Sequence, residues 1–385
     1  MNKLKYLPKA LLLTFILVLP FFINMQFQLK SLTPGYFLSQ IILFVFLIIG
    51  SKLNFKAPKL LFKIFLIFSI LLIFGALFNN HDLFKTVVFL LILVLFIING
   101  LMIGKYIVKN FLSVIEIFKL VYFLLLILGT IKIIFNQINI PFIGESSYFC
   151  LLFGPISLMA TFNSNRFKLI NLIILFCFSV LLPNATIILF LILQIGILLK
   201  DTNYKFLLLL FFILISYFSY DIFILNEYLI SRITIDASDA NLSSLMFLHN
   251  WVDIFNRIYD FNFFGNGIGS EGIFLDRSND YSSRAMEVYG NLSSTSGTFW
   301  FARAIQTIGL SSVFLIYIVI IKIIKFFKLS LSRTTYSKEF NFFLIMLLAT
   351  LPEFLFRGGS VLSLCVLCVF IVLGGESHIR RLNTN

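Results

Sequence analysis

Long apolar runs separated by short polar segments make up most of the chain. A helix that crosses a bilayer needs about 20 mostly apolar residues. Helices satisfy their own backbone hydrogen bonds in lipid, so the pattern predicts an all-α polytopic membrane protein with about twelve transmembrane helices. The predicted spans are residues 10–27, 34–50, 60–78, 86–104, 114–135, 147–162, 168–182, 184–200, 205–225, 299–321, 340–357 and 359–374.

One long polar segment interrupts this pattern after the ninth predicted span. It divides the chain into helices 1–9 (residues 1–225), a large loop (226–298), and helices 10–12 with a tail (299–385). Between Asp221 and Arg303 lie ten of the seventeen acids and five of the ten arginines, but none of the twenty lysines. We therefore expect the functional site in this segment and expect the membrane spans to hold it in place.

The composition agrees with a membrane protein. Hydrophobic residues make up 60% of the 385 positions and charged residues 12%, against roughly a quarter charged in soluble domains. A soluble fold could not bury so much apolar surface. All four cysteines lie in apolar runs, so no disulfide framework is expected in the polar segment. Cys365 and Cys368 are interpreted as helix-packing residues rather than a redox pair.

The distribution of charge predicts how the spans are oriented. With both termini in the cytoplasm, 21 of the 30 basic residues fall on the inner side and 13 of the 17 acids on the outer side. This bias follows the positive-inside rule. We therefore attribute the net charge of +13 to orientation rather than to nucleic-acid binding. The large loop is therefore predicted to face the extracytoplasmic side of the membrane.

Within the loop, residues 241–260 have the periodicity of an amphipathic helix. Its apolar face consists of Leu245, Leu248, Val252, Phe255 and Tyr259. Its polar face consists of His249, Asp253, Arg257 and Asp260. We expect the apolar face to lie on the membrane surface or against other spans, with the polar stripe in water or in a cleft. The alternative is an ordinary amphipathic helix with i,i+4 ion pairs.

A glycine-rich turn, FFGNGIGSEG, follows this helix. Gly267 to Gly272 match the GxGxxG spacing of dinucleotide-binding proteins. That motif needs a buried parallel strand before it, which a loop between membrane spans cannot supply. We expect the turn instead to let backbone amides approach an anionic group.

The exclusive use of arginine in the polar segment favours an anionic ligand. Arginine offers a planar fork that binds phosphate or carboxylate through two hydrogen bonds, and it stays charged. At a membrane surface the expected ligand is a lipid-linked phosphate or pyrophosphate. Two arginines at span ends also have structural alternatives. Arg303 could extend to the interface, and Arg357 could form an ion pair with Glu353.

Several short motifs around the loop occur together in one known family. They are Arg232 in ISRIT, Trp251 in the amphipathic helix, the FFGNGIG turn, the aromatic run Phe299, Trp300 and Phe301, and the tripeptide Ile308, Gly309 and Leu310. With these motifs and one large periplasmic loop late in a many-span chain, the sequence resembles the O-antigen polymerase (Wzy) family and the related O-antigen ligases.

The resemblance implies a GT-C-like glycosyltransferase that takes its glycan from undecaprenyl-pyrophosphate. It also implies a location in the cell inner (cytoplasmic) membrane, with the large loop in the periplasm. A polymerase of this kind moves a growing O-antigen, capsular or other polysaccharide onto the next lipid-linked repeat unit. The implied partners are the undecaprenyl-pyrophosphate-linked oligosaccharide, the lipid bilayer and a chain-length regulator. No metal or other cofactor is expected. The chain contains no Asp-x-Asp, and its first outer loop, residues 28–33, has no acid.

Glycan transfer requires an acceptor hydroxyl to attack the anomeric carbon while pyrophosphate leaves. We expect arginines to stabilise the leaving group, and a carboxylate or histidine to accept the hydroxyl proton. The candidate pyrophosphate-binding residues are Arg232, Arg257, Arg284, Arg303 and Arg357. The candidate catalytic bases are Glu287, Asp253 and His249. Arg284→Ala or Arg303→Ala is expected to abolish polymerisation without preventing membrane insertion.

Three other functions remain as alternatives. An O-antigen ligase usually carries a His–Asn pair just before the span after the loop, where this chain reads NLSSTSGTFW without a histidine. A polysaccharide flippase or transporter usually has two matched halves and ionisable groups at the bilayer midplane, and neither feature is evident in the sequence. The third alternative is a structural membrane subunit whose loop binds a partner.

Overall fold

The computed structural model describes a set of α-helices and their connections. The described residues are 6–27, 33–50, 83–134, 146–182, 185–201, 242–261, 265, 279–289, 299–331, 337–356 and 362–384, with short helical pieces between 65 and 77. Within these ranges the regular structure is helical and contains no strand, in agreement with the all-α prediction. Most of the predicted span 60–78 and all of the predicted span 205–225 lie outside the described residues.

The first half of the described chain consists of apolar helices. They are α1 (Leu7–Gln26), α2 (Thr33–Gly50), α3 (Leu83–Lys109), α4 (Phe111–Ile134), α5 (Ser146–Ala160), α6 (Asn165–Leu181) and α7 (Ala185–Asp201). Each coincides with a predicted span, with ends that differ by a few residues.

The second half contains shorter helices. They are α8 (Leu242–Tyr259), α9 (Asp280–Tyr289), α10 (Trp300–Ile308), α11 (Ser311–Leu331), α12 (Ser337–Leu348), α13 (Leu351–Leu355) and α14 (Leu364–Thr384). The first of these, α8, is the amphipathic helix predicted over residues 241–260.

Two helices of the described chain are long and apolar enough to cross a membrane. They are α3, with 27 residues, and α4, with 24 residues. Large apolar side chains on their outer faces are exposed, including Leu91 at 60% and Ile127 at 57%. Such side chains are favourable against lipid and unfavourable against water.

α3 and α14 approach each other closely through glycines. A Cβ at Gly100 would lie 2.4 Å from the Cβ of Phe370, and a Cβ at Gly104 would lie 2.1 Å from the carbonyl oxygen of Ile371. Gly100 and Gly104 have the GxxxG spacing that allows membrane helices to pack backbone against backbone. The contact therefore depends on the absence of side chains at these positions.

Aromatic rings fill the centre of the bundle. Phe342 of α12 is fully buried and makes edge-to-face contacts with Phe111 at 5.6 Å and with Phe162 at 5.5 Å. Tyr122 of α4 stacks on Phe153 of α5 at 5.4 Å. These pairs bring α4, α5 and α12 together, and each contributes beyond its buried area because the ring edge and face carry opposite partial charges.

The structure differs from the prediction in the last spans. The predicted span 299–321 is broken into α10 and α11 at Gly309, whose φ of 70° ends the first helix. The predicted span 340–357 is likewise broken into α12 and the short α13, which has Pro352 in its first turn. Arg303 therefore lies in a short helix before the long one rather than at the start of a single membrane span.

One end of the bundle carries a cluster of basic residues around Glu376, two residues beyond the predicted span 359–374. The carboxylate accepts hydrogen bonds from Lys322 and Lys325 of α11 and from Arg380 one turn further along α14. Burial alone would raise the pKa of Glu376, but these three cations outweigh it and lower the pKa to about 2. Glu376 is therefore an anion at neutral pH and joins α11 to α14.

Candidate functional site

The candidate site is formed by α8, α9 and α10. Leu245 and Met246 of α8 pack on Ala285 of α9. Further along α8, Ile254 packs in one buried cluster with Ile305 of α10. The amphipathic helix therefore lies between the two shorter helices, and its inward side chains face both of them.

The polar stripe of α8 faces inward. His249 is 4% exposed and its neighbour Asn250 is fully buried, whereas Phe255 is 63% exposed and Tyr259 is 85% exposed. We expected the apolar face to pack on other spans or the membrane and the polar stripe to lie in water or in a cleft. At the start of the apolar face Leu245 packs on α9, and at its end Phe255 and Tyr259 point outward. Of the polar stripe, His249 is buried, and the side chains of Asp253 and Arg257 are only 21% and 16% exposed. Asp260, at the end of the stripe, is exposed.

Asp253 joins α8 to α10 through a hydrogen bond from Gln306. Its Oδ2 accepts a hydrogen bond from Arg257 Nε at 2.8 Å, one turn along the same helix. The same oxygen accepts a second hydrogen bond from Gln306 Nε2 of α10 at 3.1 Å. The two donors hold the carboxylate in one orientation, which suits a group that must present its other oxygen to a ligand.

Asn250 adds a buried amide to this network. Its Oδ1 accepts a hydrogen bond from Gln306 Nε2 at 3.2 Å. Its Nδ2 is buried and has no hydrogen-bond partner within the described part of the chain. Buried donors are nearly always satisfied in native proteins, and ordered water or a ligand oxygen is the usual partner where protein atoms are missing.

His249 is held by the residue that caps α9. Asn279 Oδ1 accepts a hydrogen bond from the backbone N–H of Ser282 at 3.0 Å, which is a helix N-cap. This contact fixes the orientation of the Asn279 amide, so its Nδ2 donates to His249 Nδ1 at 2.9 Å. Because Nδ1 accepts, the neutral imidazole carries its proton on Nε2. His249 is therefore arranged to donate a hydrogen bond from Nε2.

Arg303 lies in α10, one turn before Gln306, and is only 8% exposed. On the same helix, the ring of Trp300 meets Phe354 of α13 edge to face at 4.6 Å. The guanidinium is therefore carried on a helix that is packed on both sides, against α8 and against α13. A buried guanidinium is stable only where anions or hydrogen-bond acceptors surround it.

Arg284 and Glu287 lie on the outer face of α9, away from the enclosed stripe. Their side chains are 43% and 55% exposed, and they form an i,i+3 ion pair at 3.4 Å. A pair with this exposure contributes little to stability. The structure therefore separates these two predicted residues from His249, Asp253, Arg257 and Arg303.

Aromatic side chains attach α8 to the rest of the site. Trp251 lies 5.1 Å from Phe299 and 6.2 Å from Phe301 between ring centroids. One turn earlier, Phe247 stacks nearly parallel on Phe356, which follows α13, at 6.0 Å. The aromatic run that precedes α10 is therefore the surface on which the amphipathic helix rests.

The glycine turn meets the break between α10 and α11. Gly265 has a φ of 66°, and a Cβ at this position would lie 2.5 Å from the backbone nitrogen of Gly309 and 2.8 Å from the carbonyl oxygen of Gln306. A side chain at residue 265 would be excluded by both conformation and space. Gly265 is thus in contact with Gly309 beside Gln306, whereas Gly267 to Gly272, expected to bring backbone amides to an anionic group, lie outside the described residues.

An ion pair between Glu353 and Arg357 is one of the two alternatives that the sequence leaves open. The carboxylate is 7% exposed, and its Oε2 accepts a hydrogen bond from the backbone N–H of Cys365 at 3.2 Å, at the start of α14. Arg357 and Arg232 lie outside the described residues. Glu353 therefore links α13 to α14, in addition to any role with Arg357.

Three residues of the polar network were not predicted from the sequence: Asn250, Asn279 and Gln306. Gln306 had a detectable signal, because it is a polar residue inside the apolar run 299–321. Asn279 also had one, because it stands three residues before a serine at the start of a helical segment, the spacing of a cap. Asn250 had none, since its burial depends on how α8 packs.

The chain matches no protein-family model, no curated protein and no solved structure. The class of the protein is defined by its own fold and site. It is an α-helical protein with two described helices able to cross a membrane, and it has a polar network between α8, α9 and α10.

Proposed function

We propose that the chain is a polysaccharide polymerase of the cytoplasmic membrane. In this proposal about twelve spans hold α8, α9 and α10 at the outer face, and both termini lie in the cytoplasm. The enzyme transfers a growing O-antigen, capsular or related glycan from undecaprenyl-pyrophosphate to the next lipid-linked repeat unit. The resemblance to the Wzy family and the charge bias of the predicted loops support this topology.

The enclosed polar stripe of α8 is the observation that carries the proposal. On an ordinary amphipathic helix, His249, Asp253 and Arg257 would face water. Instead His249 contacts the cap of α9, Asp253 contacts α10, and Arg257 pairs with Asp253, while Phe255 and Tyr259 point outward. A helix with polar residues inside and apolar residues outside suits a cleft at a membrane surface, where lipid covers the outer face.

The arrangement suits the transfer of a glycan from a pyrophosphate. Arg257 and Arg303 supply guanidinium groups from two facing helices, which suits the leaving pyrophosphate. Asp253 is the preferred base, because its described hydrogen bonds use Oδ2 and leave Oδ1 for the proton of the acceptor hydroxyl. His249 donates from Nε2 and is assigned to hydrogen-bond an oxygen of the donor or acceptor.

Arginine-to-lysine variants test the assignment, because lysine keeps the charge but loses the planar fork. In cells that lack the native gene, Arg303→Lys should restore less than about a hundredth of wild-type polymerisation, measured as the glycolipid ladder above single repeat units. Arg284→Lys is the matched control, since this arginine lies on the exposed face of α9, and it should restore the ladder.

The same experiment separates the alternatives. A polymerase deletion leaves single repeat units on lipid A-core, a ligase deletion leaves none, and a flippase deletion leaves none with repeat units trapped on the cytoplasmic side. A full ladder from Arg303→Lys together with loss of the ladder in Arg284→Lys would place the anion site on α9 rather than in the stripe. Full ladders from both variants would refute the proposal that an arginine guanidinium binds the pyrophosphate through two hydrogen bonds.

A further inference from the structure

A large apolar cavity lies inside the bundle, apart from the site on α8, α9 and α10. Its volume is about 270 Å³, and its described lining comes from α1 to α5, α12 and α14. Protein interiors rarely contain voids much larger than a water molecule. An engineered apolar cavity of roughly 150 Å³ already binds small hydrocarbons such as benzene. A cavity of this size and chemistry therefore suits an apolar occupant.

The cavity is elongated along the helix axes. Its lining on α1 extends from Lys9 to Leu17, and its lining on α3 extends from Phe96 to Ile107. At 1.5 Å of rise per residue, these stretches correspond to about 12 Å and about 16 Å. A flexible hydrocarbon chain fits such a shape better than a compact ring compound.

The wall of the cavity presents hydrocarbon. Where polar residues occur in it, their polar groups take part in hydrogen bonds. Ser39 donates to the carbonyl oxygen of Tyr36, and the side-chain oxygen of Gln40 accepts from Asn99. An occupant inside the cavity is therefore selected by its apolar surface rather than by its hydrogen bonds.

The exposed end of the cavity is basic. Lys9 lines the cavity, is itself exposed, and donates to the hydroxyl of Tyr106 at 3.3 Å. Its ammonium group also lies 5.7 Å from the centre of the Tyr106 ring. Lys105 and Lys109 stand on either side of Tyr106 at the end of α3. A negatively charged headgroup at this end would therefore lie beside the ammonium group of Lys9 and near the basic end of α3.

We propose that the cavity holds one acyl chain of an anionic glycerophospholipid whose phosphate lies at Lys9. The apolar, elongated cavity takes the chain, and the ammonium group at its opening takes the charge. This site is separate from the proposed donor site, because its opening lies at the basic end of the bundle and shares no described residue with α8, α9 or α10.

Native mass spectrometry of the full chain, purified in detergent, tests the charge at the opening. The probes are phosphatidylglycerol and phosphatidylcholine with identical palmitoyl-oleoyl chains. The wild type should retain one phosphatidylglycerol per chain in preference to phosphatidylcholine. Lys9→Gln should reduce this preference about fivefold, the effect expected for one basic residue near an anionic headgroup. Lys119→Gln is the matched control, since Lys119 pairs with Glu116 and does not line the cavity.

A second variant tests the cavity itself. Ile16 is buried at 4% exposure and lines the cavity, so Ile16→Trp should displace the retained lipid whichever headgroup it carries. Ile192→Trp is the control, because Ile192 is 53% exposed on α7 and does not line the cavity. Circular dichroism and gel filtration verify folding of both variants. If Ile16→Trp fails to fold, the exposed Lys9→Gln variant still decides the question.

Three results would overturn the proposal. The first is equal retention of phosphatidylglycerol and phosphatidylcholine by the wild type. The second is an unchanged preference in Lys9→Gln. The third is displacement of the retained phosphatidylglycerol by an equimolar polyprenyl phosphate, which would assign the cavity to the other class of phosphorylated lipid.

Discussion

At the scale of single residues, the carboxylate of Asp253 shows how the site is held together. It receives one hydrogen bond from its own helix and one from α10. The first follows from the i,i+4 spacing of Asp253 and Arg257 and could be predicted from the sequence. The second depends on how α8 packs on α10, and no local pattern encodes it.

Removing the hydrogen bond from Gln306 to Asp253 tests whether this contact matters for activity. Gln306→Leu keeps the approximate size of the side chain but removes the donor to Asp253 Oδ2 and to Asn250. Losing the contact with α10 should reduce polymerisation about tenfold, since the carboxylate of Asp253 is then held by Arg257 alone. Glycan length in membranes that contain equal amounts of each variant is the measurement.

A conservative control accompanies this variant. Thr307→Val alters the neighbouring residue, which is also buried at 4% exposure and takes no part in the described hydrogen bonds to Asp253. It should leave glycan length close to that of the wild type. Equal activity of Gln306→Leu and the wild type would mean that the contact between α8 and α10 does not position the base.

Helices were predicted well where the sequence carries a clear local pattern. Continuous apolar runs predicted α1 to α7, and polar and apolar residues at helical spacing predicted α8. The prediction failed at the breaks, because a run such as 299–321 remains apolar across Gly309 while the backbone turns there with φ of 70°. The hydrophobicity of a segment does not indicate its backbone conformation. The predicted span 299–321 is therefore two helices, α10 and α11, in the structure.

The contact between α3 and α14 gives a prediction at the scale of helices. Gly104→Ala would place a Cβ 2.1 Å from the carbonyl oxygen of Ile371, so the two backbones must separate. Gly196→Ala in α7 is the matched control, since a Cβ there meets no atom within 4 Å. Thermal unfolding in detergent should show a fall of several degrees for Gly104→Ala.

The control should behave in the opposite way. Alanine in an open helical position is favoured over glycine by about 1 kcal/mol, so Gly196→Ala should leave the unfolding temperature unchanged or slightly higher. Equal unfolding temperatures for both variants would show that α3 and α14 are not packed backbone against backbone.

At the scale of the molecule, charge is distributed unevenly between the ends of the bundle. Lys322, Lys325 and Arg380 share the buried carboxylate of Glu376. The sequence predicted a basic inner side from the positive-inside rule. It could not predict that one acid joins two helices there, since these residues are far apart in the chain.

Glu376 gives a prediction for stability against pH. Its pKa is lowered from 4.5 to about 2 in the folded protein, so the carboxylate stabilises the fold above pH 4.5. This contribution is lost as the pH falls from 4.5 toward 2. Glu376→Gln should lower the unfolding temperature at pH 7, because three cations lose their common anion.

The difference in unfolding temperature between wild type and Glu376→Gln should then shrink as the pH is lowered from 5 to about 2. The double variant that also carries Lys325→Gln should recover part of the loss at pH 7, since it removes one of the cations left without an anion. A difference that stays constant over this pH range would contradict the assignment of Glu376 as the titrating group.

In the proposed function, the polar stripe of α8 serves a glycan donor at the outer face of the membrane. Labelling of Phe261→Cys with a membrane-impermeant maleimide in intact spheroplasts tests this location, after replacement of the exposed Cys177 by serine. Phe261 follows α8 and is 82% exposed. Lys109→Cys is the control for the predicted cytoplasmic side, because Lys109 is exposed and lies between the predicted spans 86–104 and 114–135. Labelling of residue 261 before lysis, with residue 109 labelled only after lysis, is the predicted result. Labelling of residue 261 only after lysis would place the stripe in the cytoplasm and contradict the proposed function.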